Sequence, residues 1–318
     1  MLKSDEVQLT VSYEGKMLRD LNMPSRINVE DSLLKTLFRH NGVVKEFASG
    51  EEIVNEIANE FSLDLNQRNA HLERIYRKEN RIVKTPLWHR LLYRAADSLS
   101  KKHLVSNPTS TQKLTKHKEW MLTEQGYDRA LELMNIPTEQ KEFLTIKSFE
   151  VQKIVNKLIE SPRPQHFSPF DLTKTKRVVS KEISLRSRGF KQAVIEAYNF
   201  SCAFCGLNIQ APDLIGRVVD AAHIVPHSLN GKDEILNGIC LCKLHHWAFD
   251  VGWFTLNENY EILFSSKSNS LTIKQGLINN KHFLTPLNSN LLINLPLNKE
   301  IFPHLSAINW HRENVFHK

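Results

Sequence analysis

All four cysteines of this 318-residue chain, Cys202, Cys205, Cys240 and Cys242, fall between positions 202 and 242. No other feature constrains the fold as strongly. Disulfide frameworks belong to small secreted domains, whereas closely paired thiols are the mark of metal sites in reducing compartments. In "CAFC" the two-residue gap lets Cys202 and Cys205 point at one ion, and "CKLH" repeats the gap with Cys242 and His245. Two such pairs offer four soft ligands, a closed tetrahedral shell for a structural zinc with no position left for substrate. Buried cysteines also act as small hydrophobes, but two pairs at this spacing are hard to obtain by chance. Cys240 is the spare. Strand alternation aims it at the same face as Cys242, which makes it the alternative to His245, although the repeated offset favours His245. The zinc is expected to pin the strand after Asn237 to the helix before Cys202. That helix, "RGFKQAVIEAYNF", carries Phe190, Ala193, Val194, Ala197 and Tyr198 on one face and reads as core.

The length suits two domains with separate cores. A net charge of +7 and an isoelectric point near 9.1 permit a polyanionic partner without requiring one. The N-terminal "MLKSDEVQLTVSYEG" lacks the apolar run of a signal peptide, and no stretch approaches the ~20 apolar residues needed to span a bilayer. A cytoplasmic protein with no membrane partner is expected.

In the N-terminal half, "ASGEEIVNEIANEF" pairs Ser49 with Glu52 in a capping-box pattern and spaces Ile53, Ile57 and Phe61 for one buried helical face. "TPLWHRLLYRAADSLSKK" reads as a second helix, with Thr85 as cap, Pro86 at the first helical position, and an apolar stripe of Leu87, Leu91, Leu92, Ala95, Ala96 and Leu99. His89, Arg90, Arg94, Lys101 and Lys102 lie largely off that stripe. The next segment, "HLVSNPTSTQKLTKHKEWMLTEQGYDRALEL", reads as strand, basic loop, strand and a capped helix from near Thr123. Helices followed by a two-stranded wing follow the winged-helix order. From about Val29 to Leu133 the chain resembles the N-terminal winged-helix domain of Mrr-type restriction enzymes, in "LDLNQRNAHLERIYRKENRIVKTPLWHRLLYRAADSLSKKHLV" and "EWMLTEQGYDRAL". The expected division is residues 1–160 for this domain, a proline-bearing connector over 161–181, "SPRPQHFSPFDLTKTKRVVSK", and 182–318 for the second domain.

In the C-terminal half, His223 in "AAHI", Asn237 in "NGICL" and His246 in "HHWAFD", set around the two metal pairs, resemble the HNH family of ββα-metal nucleases. "EAYNFSCAFCGL", "DAAHIVPHS", "NGICLCKLHHWAFDVGWFTL" and "WHRENVF" extend the resemblance from about Arg186 to the end, to the nuclease half of bacterial HNH restriction endonucleases. It implies an α+β chain: a winged-helix domain, then a ββα-metal HNH nuclease with a structural zinc knuckle. The residue types suit the chemistry. Phosphodiester hydrolysis needs a base for water, a cation on the phosphoryl group, and rigid placement of both. His223 is the candidate base, because imidazole titrates near neutral pH. His246 is the candidate ligand for a catalytic Mg²⁺ or Mn²⁺, and Asn237 is expected to orient the loop carrying His223. The family usually places an Asp or His ligand immediately before the base, where this chain has Ala222. Asp220 and Asp250 are the carboxylates left to serve a hard cation. His227 follows Pro226 outside the strand and His245 is committed to zinc, so neither is the base.

The expected activity is a metal-dependent endodeoxyribonuclease of restriction type acting on double-stranded DNA. Arg90, Arg94, Lys116 and Lys118 are its expected phosphate contacts, and a homodimer and a partner methyltransferase its expected associates. The competing reading is a DNA-binding regulator whose zinc knuckle is only structural.

Overall fold

The computed structural model describes residues 13–47, 51–76, 81–171, 180–211, 216–266 and 293–316. The chain separates into two compact units, residues 1–138 and 139–318.

The first unit runs α1 (Tyr13–Asp20), α2 (Arg26–Arg39), β1 (Val43–Lys45), α3 (Glu51–Glu60), α4 (Leu65–Asn69), β2 (His71–Tyr76), β3 (Arg81–Pro86), α5 (Leu87–Lys101), β4 (Val105–Ser106), α6 (Pro108–Thr115), β5 (Glu119–Leu122) and α7 (Glu124–Leu133). Strands β1, β5 and β4 form an antiparallel sheet in that order, while β2 and β3 pair as a separate hairpin between α4 and α5. Its core is the apolar stripe of α5 laid against α2: Leu87, Leu91, Leu92, Ala95, Ala96 and Leu99 are buried, joined by Trp88, whose indole nitrogen donates to the carbonyl of Val54 at 3.0 Å. Ile53 and Ile57 of α3 are buried as their spacing requires, and Thr123 caps α7 by accepting from the amide of Gly126 at 3.0 Å. The Ser49 cap expected for α3 lies outside the described residues.

Two local expectations are corrected. Thr85 and Pro86 close β3, opposite Leu72 and His71, so the backbone of Thr85 is committed to the hairpin; Pro86 sits at the N-cap of α5 without a side-chain bond. The stretch read as a basic loop between two strands contains α6. Asn107 caps it by accepting from the amide of Ser110 at 2.9 Å, Pro108 opens it, and Lys116 ends it in the left-handed region at φ 66°.

The second unit contains α8 (Phe149–Glu160), α9 (Ser180–Ala197), the antiparallel hairpin β6 (Val219–His223) and β7 (Gly238–Cys242), α10 (Lys243–Asp250), the hairpin β8 (Phe254–Leu256) and β9 (Ile262–Phe264), and α11 (Leu305–Asn314). Phe190, Ala193 and Val194 of α9 are fully buried against β6 and β7, and Val151, Val155 and Leu158 of α8 join the same core. The expected division at residue 160 therefore differs from the observed one, because α8 packs on α9 and belongs to the second unit. Nor does the proline-bearing stretch hang free over 161–171. An Arg163 guanidinium nitrogen donates to the carbonyl of Phe302 at 2.7 Å, Lys232 donates to the carbonyl of Pro169 at 2.8 Å, and the amide of Asp171 donates to the carbonyl of Asn230 at 2.7 Å. These bonds strap it to the loop between β6 and β7. No helix among the described residues is long and apolar enough to cross a membrane.

Candidate active site and metal cluster

Cys202, Cys205, Cys242 and His245 converge, with their four donor atoms all within 4.8 Å of one another. Three local devices bring them there. Asn199 and Phe200 turn the chain out of α9 through positive φ angles of 49° and 58°. The knuckle then closes by Gly206 donating to the carbonyl of Cys202 at 2.8 Å, while Ala203 donates to the carbonyl of Cys240 at 2.7 Å and ties the knuckle to β7. Cys242 ends β7 and His245 lies in the first turn of α10, its ring stacked 4.0 Å from that of Phe204.

A tetrahedral ion with metal–sulfur bonds of about 2.3 Å and a metal–nitrogen bond of about 2.0 Å needs donors roughly 3.5–3.8 Å apart. The contacts lie around that frame, one inside it and one on either side: Cys202 Sγ to His245 Nδ1 is 3.7 Å, Cys205 Sγ to Cys242 Sγ 4.0 Å, and Cys242 Sγ to His245 Nδ1 3.1 Å. The protein therefore carries a cluster of three cysteines and one histidine able to coordinate a metal ion. Hydrogen bonding from Cys202 and Cys205, and from His245, holds the Cys242 thiol well below its usual range, while the bonds to Cys205 and Cys242 push that of Cys202 well above it, so the sulfurs share one negative charge. Cys240 is fully buried on β7 and outside the cluster, and burial pushes its thiol up to about 12. It packs as a small hydrophobe.

The second constellation sits on the β6–β7 hairpin and α10. His223 ends β6, pairs with Gly238, and stacks on Phe190 at 4.1 Å between ring centroids. Position 238 tolerates no side chain, since a Cβ there would lie 2.4 Å from Val194 and 2.9 Å from Phe190, the ring on which His223 rests. Asn237 just before it is fully buried and acts as a clamp. Its Oδ1 accepts from the amide of Val225 at 2.9 Å, and its Nδ2 donates to the carbonyls of Val225 and Lys232, each at 3.1 Å. One side chain thus holds both ends of the loop that follows His223.

His246 and Asp250 share a face of α10, with His246 Nε2 3.5 Å from a carboxylate oxygen of Asp250. Burial raises the carboxyl of Asp250 above its ordinary range, partly opposed by the charges of His246 and His223, which places the two imidazoles and this carboxylate in one electrostatic neighbourhood. Asp220 is elsewhere. It is three residues from His223, an odd separation that puts it on the other face of the strand, where it meets Lys243 Nζ at 3.3 Å. Among the described residues the cysteine–histidine cluster is the only group of three or more His, Cys, Asp or Glu donors close enough to share an ion, so the second constellation offers the pair His246 and Asp250.

Sequence reasoning missed Asp233. Its Oδ1 lies 2.9 Å from His223 Nε2, with both side chains mostly buried. It sits in the irregular loop between β6 and β7, where no periodicity marks a partner for a histidine ten positions earlier. In the first unit, Arg90 and Arg94 both reach Glu14, at 2.8 Å each, while Lys116 and Lys118 are exposed beside β5.

Residues 202–257 match a family model described as HNH endonuclease. The chain thus carries an HNH-like domain with a cysteine–histidine metal-binding cluster. No curated protein matches the chain. A solved structure described as "Modification dependent TagI restriction endonuclease" is 19% identical with a TM-score of 0.30, over 44% of this chain and 44% of that one. The chain therefore matches less than half the length of that structure.

Proposed function

We propose that the second unit is a metal-dependent DNA endonuclease of restriction type, and that the first is a winged-helix domain positioning it on duplex DNA. The carrying observation is the placing of His223 at the end of β6, where Asn237 clamps the loop that follows it, together with the pair His246 and Asp250 on α10, separate from the cysteine–histidine metal cluster. A binding module that used its metal only for folding has no need of this second group. The order α2, β1, α3, α5, β4 and β5, with sheet order β1-β5-β4, supports the winged-helix reading, with α4 and the β2–β3 hairpin inserted before α5 and α6 inserted between the two wing strands.

The cluster of three cysteines and one histidine would hold a structural zinc, because its donors are soft and fill all four positions. His246 and Asp250 would hold a Mg²⁺ or Mn²⁺ ion, a hard cation that keeps several positions for water and substrate phosphate. When bound, that ion supplies charge stabilisation on the phosphoryl and leaving oxygens. The protein's own residues do the rest. Asp233 would accept a hydrogen bond from the Nε2–H of His223, which leaves the lone pair of Nδ1 to take a proton from the attacking water. Phe190 behind the ring and the Asn237 clamp around the loop keep that nitrogen in place. Asp220, paired with Lys243 on the far face, takes no part.

Plasmid DNA incubated with the purified protein and Mg²⁺ or Mn²⁺ tests the reading. Cleavage is expected to fall by about 10²–10⁴-fold in His223→Ala while DNA affinity stays within a few fold, because a general base acts in the transition state. Unchanged cleavage, or an equal loss of DNA binding, removes His223 from the role.

A further inference from the structure

A recess at the start of the β6–β7 hairpin has no place in the scheme above. Its charged lining comes from four elements of the second unit: Arg188 and Lys191 of α9, Arg217 before β6, Asp220 of β6 and Lys243 of α10. Four cations and one carboxylate leave it a net charge of +3. Glu196, farther along α9, is held by Lys147 Nζ at 2.6 Å and by Gln192 at 2.7 Å.

Two of the cations are held in place. Arg188 is only 6% exposed and one of its terminal nitrogens donates to the carbonyl of Ile146 at 3.4 Å. The Arg217 guanidinium carbon lies over the ring of Phe200, 4.2 Å from its centroid. Positive charges fixed in a cleft with low-dielectric walls concentrate anions far more than the same charges on a flat surface, and guanidinium forks suit phosphate oxygens. The recess has a volume of about 100 Å³, room for one phosphate group. It lies apart from the reacting residues, because Asp220 occupies the face of β6 opposite to His223 and three residues of strand separate them by on the order of 10 Å.

We propose that this recess is a second phosphate site, which holds a backbone phosphate of bound DNA away from the scissile bond. The assignment to DNA rests on the nuclease reading; the chemistry of the site, a phosphate among fixed cations, does not. Lys191 is the residue to change, since it lines the recess and is not a member of the metal cluster.

The full-length protein, Lys191→Gln, Lys191→Glu and Lys191→Arg are to be compared for duplex binding over a salt series without added divalent cation. Melting temperature and bound zinc serve to verify folding, and Arg217→Gln serves if Lys191→Glu fails to fold. The expected result is about tenfold weaker binding for Lys191→Gln at low salt and a slope of log affinity against log salt shallower by about one, with near-native behaviour in Lys191→Arg. Hydrolysis of bis(4-nitrophenyl) phosphate, which has no flanking phosphate, is expected to be unchanged. Native affinity and slope in a folded Lys191→Glu would overturn the proposal. Thermal stabilisation by millimolar inorganic phosphate that is lost in Lys191→Glu, with DNA binding unaffected, would assign the site to a free phosphate compound and overturn the DNA assignment. A wild-type protein that binds DNA with the Lys191-dependent slope and cuts nothing would sink the nuclease reading while the phosphate site stands.

Discussion

Two buried contacts carry the consequences at the residue scale. Asp233 and His223 form a pair in which the carboxylate fixes which imidazole nitrogen holds the proton. Asp233→Asn keeps the shape but offers an amide that can turn either its oxygen or its NH₂ to the ring, and so removes that fixed preference. Cleavage is expected to fall about 10–100-fold with KM nearly unchanged, by analogy with the loss of other groups that orient a reacting side chain; steady-state kinetics on a plasmid checks it, and a rise in KM alone would make Asp233 a binding residue. The second contact is His311, stacked on Phe249 at 3.7 Å, with Thr255 Oγ1 at 2.9 Å from Nδ1 and the carbonyl of Phe249 at 3.1 Å from Nε2. Burial pushes its imidazole down from 6.5 to about 4. The unfolded chain therefore binds a proton that the folded chain refuses across that window. The contribution of His311 is full above about pH 6.5 and is lost as pH falls towards 4, by roughly 3 kcal/mol at most. The stability gap between wild type and His311→Gln, measured by urea unfolding from pH 7 to 4.5, should close on acidification; a gap independent of pH would mean that His311 is not held neutral. Of the pieces of the candidate site, His223, Asn237 and His246 could be named from residue type and spacing, and the placing of Asp220 on the opposite face was available in the odd step of a strand. Asp233 was not, because a loop partner has no period to betray it.

Among the elements, α9, β6, β7 and α10 share an apolar core around Phe190 and Val194, and the cysteine–histidine cluster ties the segment after α9 to the start of α10. The hairpin is short, five residues in each strand, and a two-stranded sheet of that size is marginal by itself. Metal binding is therefore folding energy for this region. Cys205→Ser, or a strong chelator, is expected to melt the second unit while residues 1–138, with their own core of Leu33, Leu37, Trp88 and Leu92, stay folded. Two transitions in calorimetry, only the upper or lower of which responds to chelation, would check it, and bound zinc at native stoichiometry in the double variant of Cys202→Ser and Cys242→Ser would refute the ligand set. The elements easiest to read in advance were those with one apolar stripe, α3, α5 and α9. α6 escaped because its polar sequence has no stripe; it rests on an Asn107 cap, a leading proline and the buried Thr111 hydroxyl bonded to the carbonyl of Asn107 at 3.1 Å. Thr85 was misassigned because a threonine before Pro-Leu-Trp suits a cap and a strand end equally, and the partner strand decides between them.

For the whole molecule, the point of division was hidden by the prolines of residues 161–171, whose composition suits a connector although their carbonyls and amides bond to the β6–β7 loop and to the segment before α11. The strap links α8 to the loop that follows His223, so the second unit is larger than its motif. One such unit per chain has further consequences for the proposed function. A single His223 with one cation held by His246 and Asp250 would serve one in-line attack, so cutting both strands at one locus would call for two chains. Twofold symmetry is the simplest arrangement, because it matches the pseudo-twofold axis of the duplex and a palindromic site. Lys116 and Lys118 are exposed beside β5 and available to phosphates, whereas Arg90 and Arg94 are tied to Glu14 and must exchange that carboxylate for DNA. The dimer is accordingly expected to form, or to tighten, on target DNA. Molecular mass in solution with and without a target duplex, read together with the products from supercoiled plasmid, tests this directly. Linear product from a twofold assembly is the expected result; a monomer on DNA that accumulates only nicked circles would make the protein a nicking enzyme and the dimer wrong.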